Sequence, residues 1–289
     1  MTPVALTLVL LGAACHALWN IVAKRAAGGG VAFIWLFGLI SVAAIAPWAV
    51  WSWSTRPHAL TASMGGAVAA SALIHVLYSL ALQRAYRAAP FSVVYPVARG
   101  SGPLFSVAAA LAVWSERPSA LGWAGVVAVL AGVLLSARSA EPRAGAAAGG
   151  RQGVQWGLLT GSLIAGYTLV DAWAIKSLGM SPLVFFALAL LLRTALVTPL
   201  ALRRRAELAR QWHARRGAIV AVGVLSPLAY TLVLTAMRSA PLSYVAPVRE
   251  VSMLVGTWVG ARLLDEAVRP AQIVAAVVMV AGVVALAMA

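Results

Sequence analysis

The sequence predicts an all-α integral membrane protein of ten transmembrane helices, arranged as two inverted five-helix repeats. Three observations lead there. Hydrophobic residues make up 62% of the 289 and charged residues only 10%, with a mean hydropathy of +0.92, whereas about a quarter of an ordinary soluble domain is charged. Apolar runs of roughly 20 residues follow one another with short polar breaks, as helices need to cross a hydrocarbon core of about 30 Å; a strand barrel would show alternating segments about half as long. Finally, residues 87–97, RAAPFSVVYPV, recur as residues 238–248, RSAPLSYVAPV, with seven of eleven positions identical at an offset of 151.

The first half reads as five spans, 3–23, 31–53, 62–83, 89–113 and 119–137. Span 1 lacks the basic stretch that precedes a cleaved signal; Lys24 and Arg25 come after it, so it reads as a retained helix. Span 2 ends in Trp48, Trp51 and Trp53, and span 4 is followed by Trp114, all suited to an interfacial belt. Trp35 and Trp258 read as packing or lipid-facing residues. Span 3 stops before Arg84 and Arg87. Span 4 holds Tyr95-Pro96 and the loose string Arg99-Gly100-Ser101-Gly102-Pro103. Proline frees a carbonyl and kinks a helix, which at membrane depth is tolerated only beside protein or a wet cavity. Span 5 carries Gly122-x-x-Gly125, a surface for close helix approach.

Residues 139–153, rich in Ala, Gly and Arg, read as a linker, which divides the chain into repeats 1–138 and 154–289. The second repeat reads as spans 154–175, 181–202, 217–237, 241–261 and 270–288. Ala246-Pro247 repeats the proline of span 4, Gly161-Ser162 and Gly256-x-x-x-Gly260 again allow close packing, and Ala281-Gly282-Val283 repeats Ala131-Gly132-Val133 after a one-residue deletion. An odd number of spans per repeat forces the second to insert upside down.

The formal charge of +15 does not point to nucleic acid, because the cations sit in the breaks between apolar segments. The breaks after spans 1, 3, 5, 7 and 9 hold fifteen Lys and Arg against four on the other side (Arg56, Arg117, Lys176, Arg238). Cations accumulate on the cytoplasmic side, so the count puts both termini outside the cytoplasm, and the expected location is the cell inner (plasma) membrane. Arg203 to Arg216 has a second reading, an amphipathic surface helix bound to anionic lipid on that same face. The single Cys15 reads as packing; neither metal-ligand spacing nor a phosphate-binding GxxxxGK[ST] loop occurs, and no cofactor is expected.

Inside the spans lie Arg99, Arg193, Arg249, Asp171, Glu250, His16 and Asn20. A charge at the helix centre costs about 2.5–3.5 kcal/mol on insertion scales, so such residues face a partner or a cavity. At the offset of 151, His16 corresponds to Tyr167, Asn20 to Asp171, Tyr95 to Ala246 and Arg99 to Glu250. Residues four apart share a helix face, which pairs His16 with Asn20, Tyr95 with Arg99 and Tyr167 with Asp171. If these faces converge, they form a binding cavity for a small polar solute. Its residues would be His16, Asn20, Tyr95, Arg99, Tyr167, Asp171, Arg249 and Glu250. A forked guanidinium suits a carboxylate, phosphate or phosphonate, and the acids suit an amine or a coupled proton. Two other readings stand beside this one: ion pairs of Arg99 with Glu250, or of Arg249 with Asp171, that only fix packing, and an Arg193 that snorkels towards the Arg203 cluster.

Two five-span halves, the acids Ser115-Glu116-Arg117 and Asp265-Glu266 before each last helix, and the AGV-type last helices resemble the EamA branch of the drug/metabolite transporter superfamily. Within it, His16-Ala-Leu-Trp-Asn20, Tyr95-Pro-Val-Ala-Arg-Gly100, Thr168-Leu-Val-Asp171 and Pro247-Val-Arg-Glu250 look like a permease subgroup associated with phosphonate use. The resemblance implies alternating-access transport of small metabolites, often export, through a site lined by spans 1, 3, 4, 6, 8 and 9. Two departures stand out. Ten-span relatives are drawn with cytoplasmic termini, against the cation count, and small multidrug relatives carry a glutamate in their first helix where this chain has His16 and Asn20.

The expectation is therefore a secondary transporter, not an enzyme, for an anionic or zwitterionic metabolite such as an amino acid or aminophosphonate. Its partners would be that solute, the lipid bilayer and a coupled proton or ion, with monomer and homodimer both open. A lipid-linked sugar or drug carrier and a non-transporting assembly subunit are the alternatives, and the membrane charges argue against each.

Overall fold

The structure is a computed structural model that describes residues 1–25, 30–55, 59–89, 91–138, 150–255 and 270–289. Those residues form ten helices: α1 Pro3–Arg25, α2 Gly30–Thr55, α3 Ala62–Ala88, α4 Phe91–Trp114, α5 Ala120–Arg138, α6 Gly150–Lys176, α7 Pro182–Leu202, α8 Arg205–Ala236, α9 Leu242–Arg249 and α10 Pro270–Met288. Eight of them are long and apolar enough to cross a membrane, and α5 contributes a shorter apolar stretch, Ala120–Leu135. The chain is an all-helical, multi-pass membrane protein. Large apolar side chains such as Val4, Trp48, Leu73, Val127 and Val277 point outward, each at least half exposed, as a surface facing lipid rather than water requires.

Two spans differ from the sequence expectation. Helix α8 begins twelve residues before position 217, at Arg205, and is broken at Arg215, whose backbone leaves the helical region (φ −140°, ψ 20°). The segment before the break exposes Arg205, Arg210, Trp212 and His213 while burying Gln211, so it has the two-faced character of a surface helix. Helix α9 is the other. Pro247 has no N–H to give, and beyond it the bonds tighten to three-residue spacing: Glu250 N donates to Pro247 O (2.9 Å) and Val251 N to Val248 O (3.1 Å). The ordinary helix ends at Arg249, and helical backbone resumes at 252–255. Pro96, by contrast, lies inside α4 without ending it. Most of the expected linker, and with it Trp258, Gly256-x-x-x-Gly260 and Asp265-Glu266, lies outside the described residues.

Packing follows a pattern of exchange. Helix α1 packs on α8 and α3 on α6; α2 packs on α8 and α3 on α7; α4 packs on α6, and α1 touches α9. Replacing each helix by the one five places on maps every one of these pairs onto another of them, while α2–α7, α4–α9 and α5–α10 map onto themselves. Glycines set the closest approaches. A Cβ on Gly125 would stand 2.8 Å from the carbonyl oxygen of Gly282, and one on Gly282 would stand 2.9 Å from that of Gly125, so α5 and α10 meet backbone to backbone.

One end of the bundle carries the α2–α3, α4–α5, α6–α7 and α8–α9 connections. There Ser52 and Ser181 share a hydrogen bond of 2.8 Å, and the first turn of α1 meets the last turn of α10, with the Met1 ammonium donating to Leu286 O at 3.4 Å and Ala287 O at 3.5 Å.

Candidate substrate site

Polar side chains from α1, α3, α4, α6, α8 and α9 gather in two clusters inside this bundle. The first is ionic. Arg99 on α4 donates from Nη1 to Glu250 Oε2 at 3.3 Å, and its Nη2 lies 3.2 Å from His16 Nε2 on α1. A guanidinium only donates, so this contact needs His16 Nε2 as the acceptor, the neutral tautomer protonated at Nδ1. Arg249 Nε stands 3.8 Å from Glu250 Oε1, an ion pair beyond hydrogen-bond range. That oxygen is buried and accepts no hydrogen bond among the described residues, although the Glu250 side chain is only 1% exposed. The sharp turn after Pro247 is what sets Arg249 and Glu250 side by side here. The carbonyl end of α9, with its partial negative charge, favours both guanidiniums.

The second cluster surrounds Asp171 on α6, which is fully buried. Ser71 of α3 donates to Oδ1 at 2.6 Å and the Tyr230 hydroxyl of α8 donates to Oδ2. Both oxygens are thereby satisfied, as a buried carboxylate requires. The His75 ring stacks on Tyr167 with centroids 4.0 Å apart and meets Tyr230 edge-on at 5.9 Å, while Tyr78 meets Tyr167 edge-on at 5.7 Å. His75 Nδ1 lies 2.9 Å from the Ser71 carbonyl, which can only accept, so Nδ1 carries the proton.

Of the residues expected from sequence, His16, Arg99, Arg249 and Glu250 come together directly, and Tyr167 and Asp171 belong to the neighbouring group. Asn20 turns away, donating to the His16 carbonyl of its own helix at 2.7 Å. Tyr95 lies in α4, and its side chain falls outside the described residues. The two ion-pair expectations divide: Arg99 pairs with Glu250, but Arg249 pairs with the same Glu250 and not with Asp171. Arg193 is half-buried in α7. Sequence reasoning missed Ser71, His75, Tyr78 and Tyr230. A signal existed, since Ser71 and His75 are one turn apart inside an apolar span and Tyr230 corresponds to Ser79 at the repeat offset of 151.

Trp35, expected to pack or face lipid, packs: its Nε1 donates to Thr198 Oγ1 at 2.9 Å, tying α2 to α7. Small residues seat α4 on α6, where a Cβ on Gly161 would stand 3.0 Å from Gly102 N and 3.1 Å from Ala98 O.

Residues 151–288, which carry α6 to α10 and half of this site, match the EamA-like transporter family. The chain carries an EamA-like transporter domain. That family belongs to the drug/metabolite transporter superfamily, and the match points to a membrane transporter. A solved crystal structure, described only as that of a protein, has the same fold with a TM-score of 0.76 at 15% identity, covering 100% of this chain and 98% of its own. No curated protein matches the EamA chain by sequence.

Proposed function

We propose that this EamA chain is a secondary transporter of the inner (plasma) membrane for a small anionic or zwitterionic metabolite, of the amino acid or aminophosphonate class. In this reading it works by alternating access between two inverted repeats, 1–138 and 154–289, and the fifteen-cation face is cytoplasmic. The observation that carries the substrate class is a charge imbalance. Among the described residues of the spans, Arg99, Arg193 and Arg249 stand against Asp171 and Glu250, leaving one positive charge over. An acid group from the solute would balance it, with Arg99 and Arg249 as forked donors. The buried Glu250 Oε1, which accepts no hydrogen bond among the described residues, supports an N–H donor on the same solute.

Protein reconstituted in liposomes should take up radiolabelled amino acids or 2-aminoethylphosphonate, and Arg99→Ala should abolish that uptake. Uptake that survives in the variant would remove Arg99 from the site, and parent protein inert to both solute classes would sink the substrate assignment.

A further inference from the structure

Outside the two clusters, one carboxylate of the first half gathers donors from two elements of the second. Glu116 lies in the five-residue connection between α4 and α5. Its Oε1 accepts from Lys176 Nζ at 2.8 Å, at the end of α6, and from Leu242 N at 2.9 Å; its Oε2 accepts from Ser243 N at 2.9 Å. Leu242 and Ser243 open α9, whose cap is Pro241, a residue with no side-chain acceptor to offer the free N–H groups. Glu116 fills that role from another part of the chain. Lys176 adds a contact to the Ala240 carbonyl at 3.4 Å and sits 5.7 Å from the centre of the Trp114 ring. The arrangement is tightly packed, with the Glu116 side chain 10% and the Lys176 side chain 21% exposed.

The position matters because α9 is short and ends in Arg249 and Glu250. Whatever fixes its first turn fixes the ionic cluster about 12 Å further along, at 1.5 Å per residue. Holding α9 against α6 and the α4–α5 connection also ties the two halves together at this end.

We propose that Glu116 is a gate latch: a positioning residue that holds the start of α9 in the state closed at this face, and lets go when that face opens to admit or release solute. The latch rests on the alternating-access reading above. Lys176 is its counter-charge, and the Leu242 and Ser243 amides are its catch.

The experiment uses the full chain in lipid nanodiscs with Cys15→Ser removing the single native thiol and Ala240→Cys as reporter. Ala240 is 3% exposed and sits beneath the Lys176 contact. The probe is a membrane-impermeant maleimide, with solute absent. Adding Glu116→Gln should raise the labelling rate roughly tenfold, the factor expected for losing hydrogen bonds to a charged group. Lys176→Met should raise it less, because both backbone bonds remain. The melting temperature at neutral pH should fall by a few degrees, since the ionised carboxylate also contributes to the stability of the fold. The ratio of the Glu116→Gln rate to the parent rate should also fall towards one in acid, where the parent loses the same charge.

A ratio of one at neutral pH, or an equal rise at a second reporter, Ala201→Cys, buried at the other end of the bundle, would overturn the latch. Labelling needs no solute, so the two ideas fail separately. Inert liposomes with a tenfold labelling change would count against the transported class alone.

Discussion

At the scale of single residues, the site is governed by how each buried charge is satisfied. Asp171 has a donor on each oxygen, and Tyr230→Phe removes one of them while keeping the ring that packs on Phe186 at 4.9 Å. The cost of a buried carboxylate short of one donor is about 1.5–3 kcal/mol, so this variant should melt several degrees below the parent in detergent. Glu116 gives the pH dependence. Burial acts to raise its pKa, but the Lys176 ammonium and the Ser243 and Leu242 amides favour the ionised form more, and the net shift is downward from 4.5. A carboxyl held below its unfolded value contributes stability that is present above that value and is lost as pH falls through the lowered one. Lys176 is the counter-charge, and Arg117 is its neighbour in sequence. The thermal stability of the parent should therefore fall more steeply than that of Glu116→Gln as pH drops below about 4.5; parallel curves would remove Glu116 as the responsible group.

At the scale of elements, glycine decides where helices touch. Gly282→Val would drive two methyl groups into Val129 and the Gly125 carbonyl, both under 3 Å from where its Cβ must stand. Overpacking of this kind costs about 1–3 kcal/mol. Gly65→Ala is the control, because nothing lies within 4 Å of its Cβ position. Gel filtration and melting of the two variants should separate them clearly. The elements also show what sequence can and cannot disclose. Span lengths follow from apolar runs, because each run has to match the same bilayer thickness, and the placement of Arg99 beside Glu250 was visible in the repeat register. The Tyr230 contact was not, because a tyrosine in an apolar span looks the same whether it anchors at an interface or donates to a carboxylate on another helix. The break of α9 was half visible: Pro247 marked it, yet Pro96 at the matching place leaves α4 whole, since one lost backbone bond is decided by neighbours rather than by the proline itself.

At the scale of the whole molecule, the proposed substrate class makes a prediction about stability. A solute that supplies both an acid and an N–H donor should raise the apparent melting temperature of the detergent-solubilised protein, with a shift growing as the logarithm of concentration above its Kd. Arg249→Ala should flatten that response, because it removes the buried guanidinium beside Glu250.

The meeting of α1 with α10 at one face bears on the order in which the halves are written. Because the Met1 ammonium lies within hydrogen-bond range of the Leu286 and Ala287 carbonyls, a short peptide joining Ala289 to Met1 would bridge ends that already touch. Opening the chain instead between its two halves would then yield a circular permutant in which the second half is synthesised first. Such a permutant should fold and move solute as the parent does, because the contacts that assemble the bundle join helices across the halves and are indifferent to which half leaves the ribosome first.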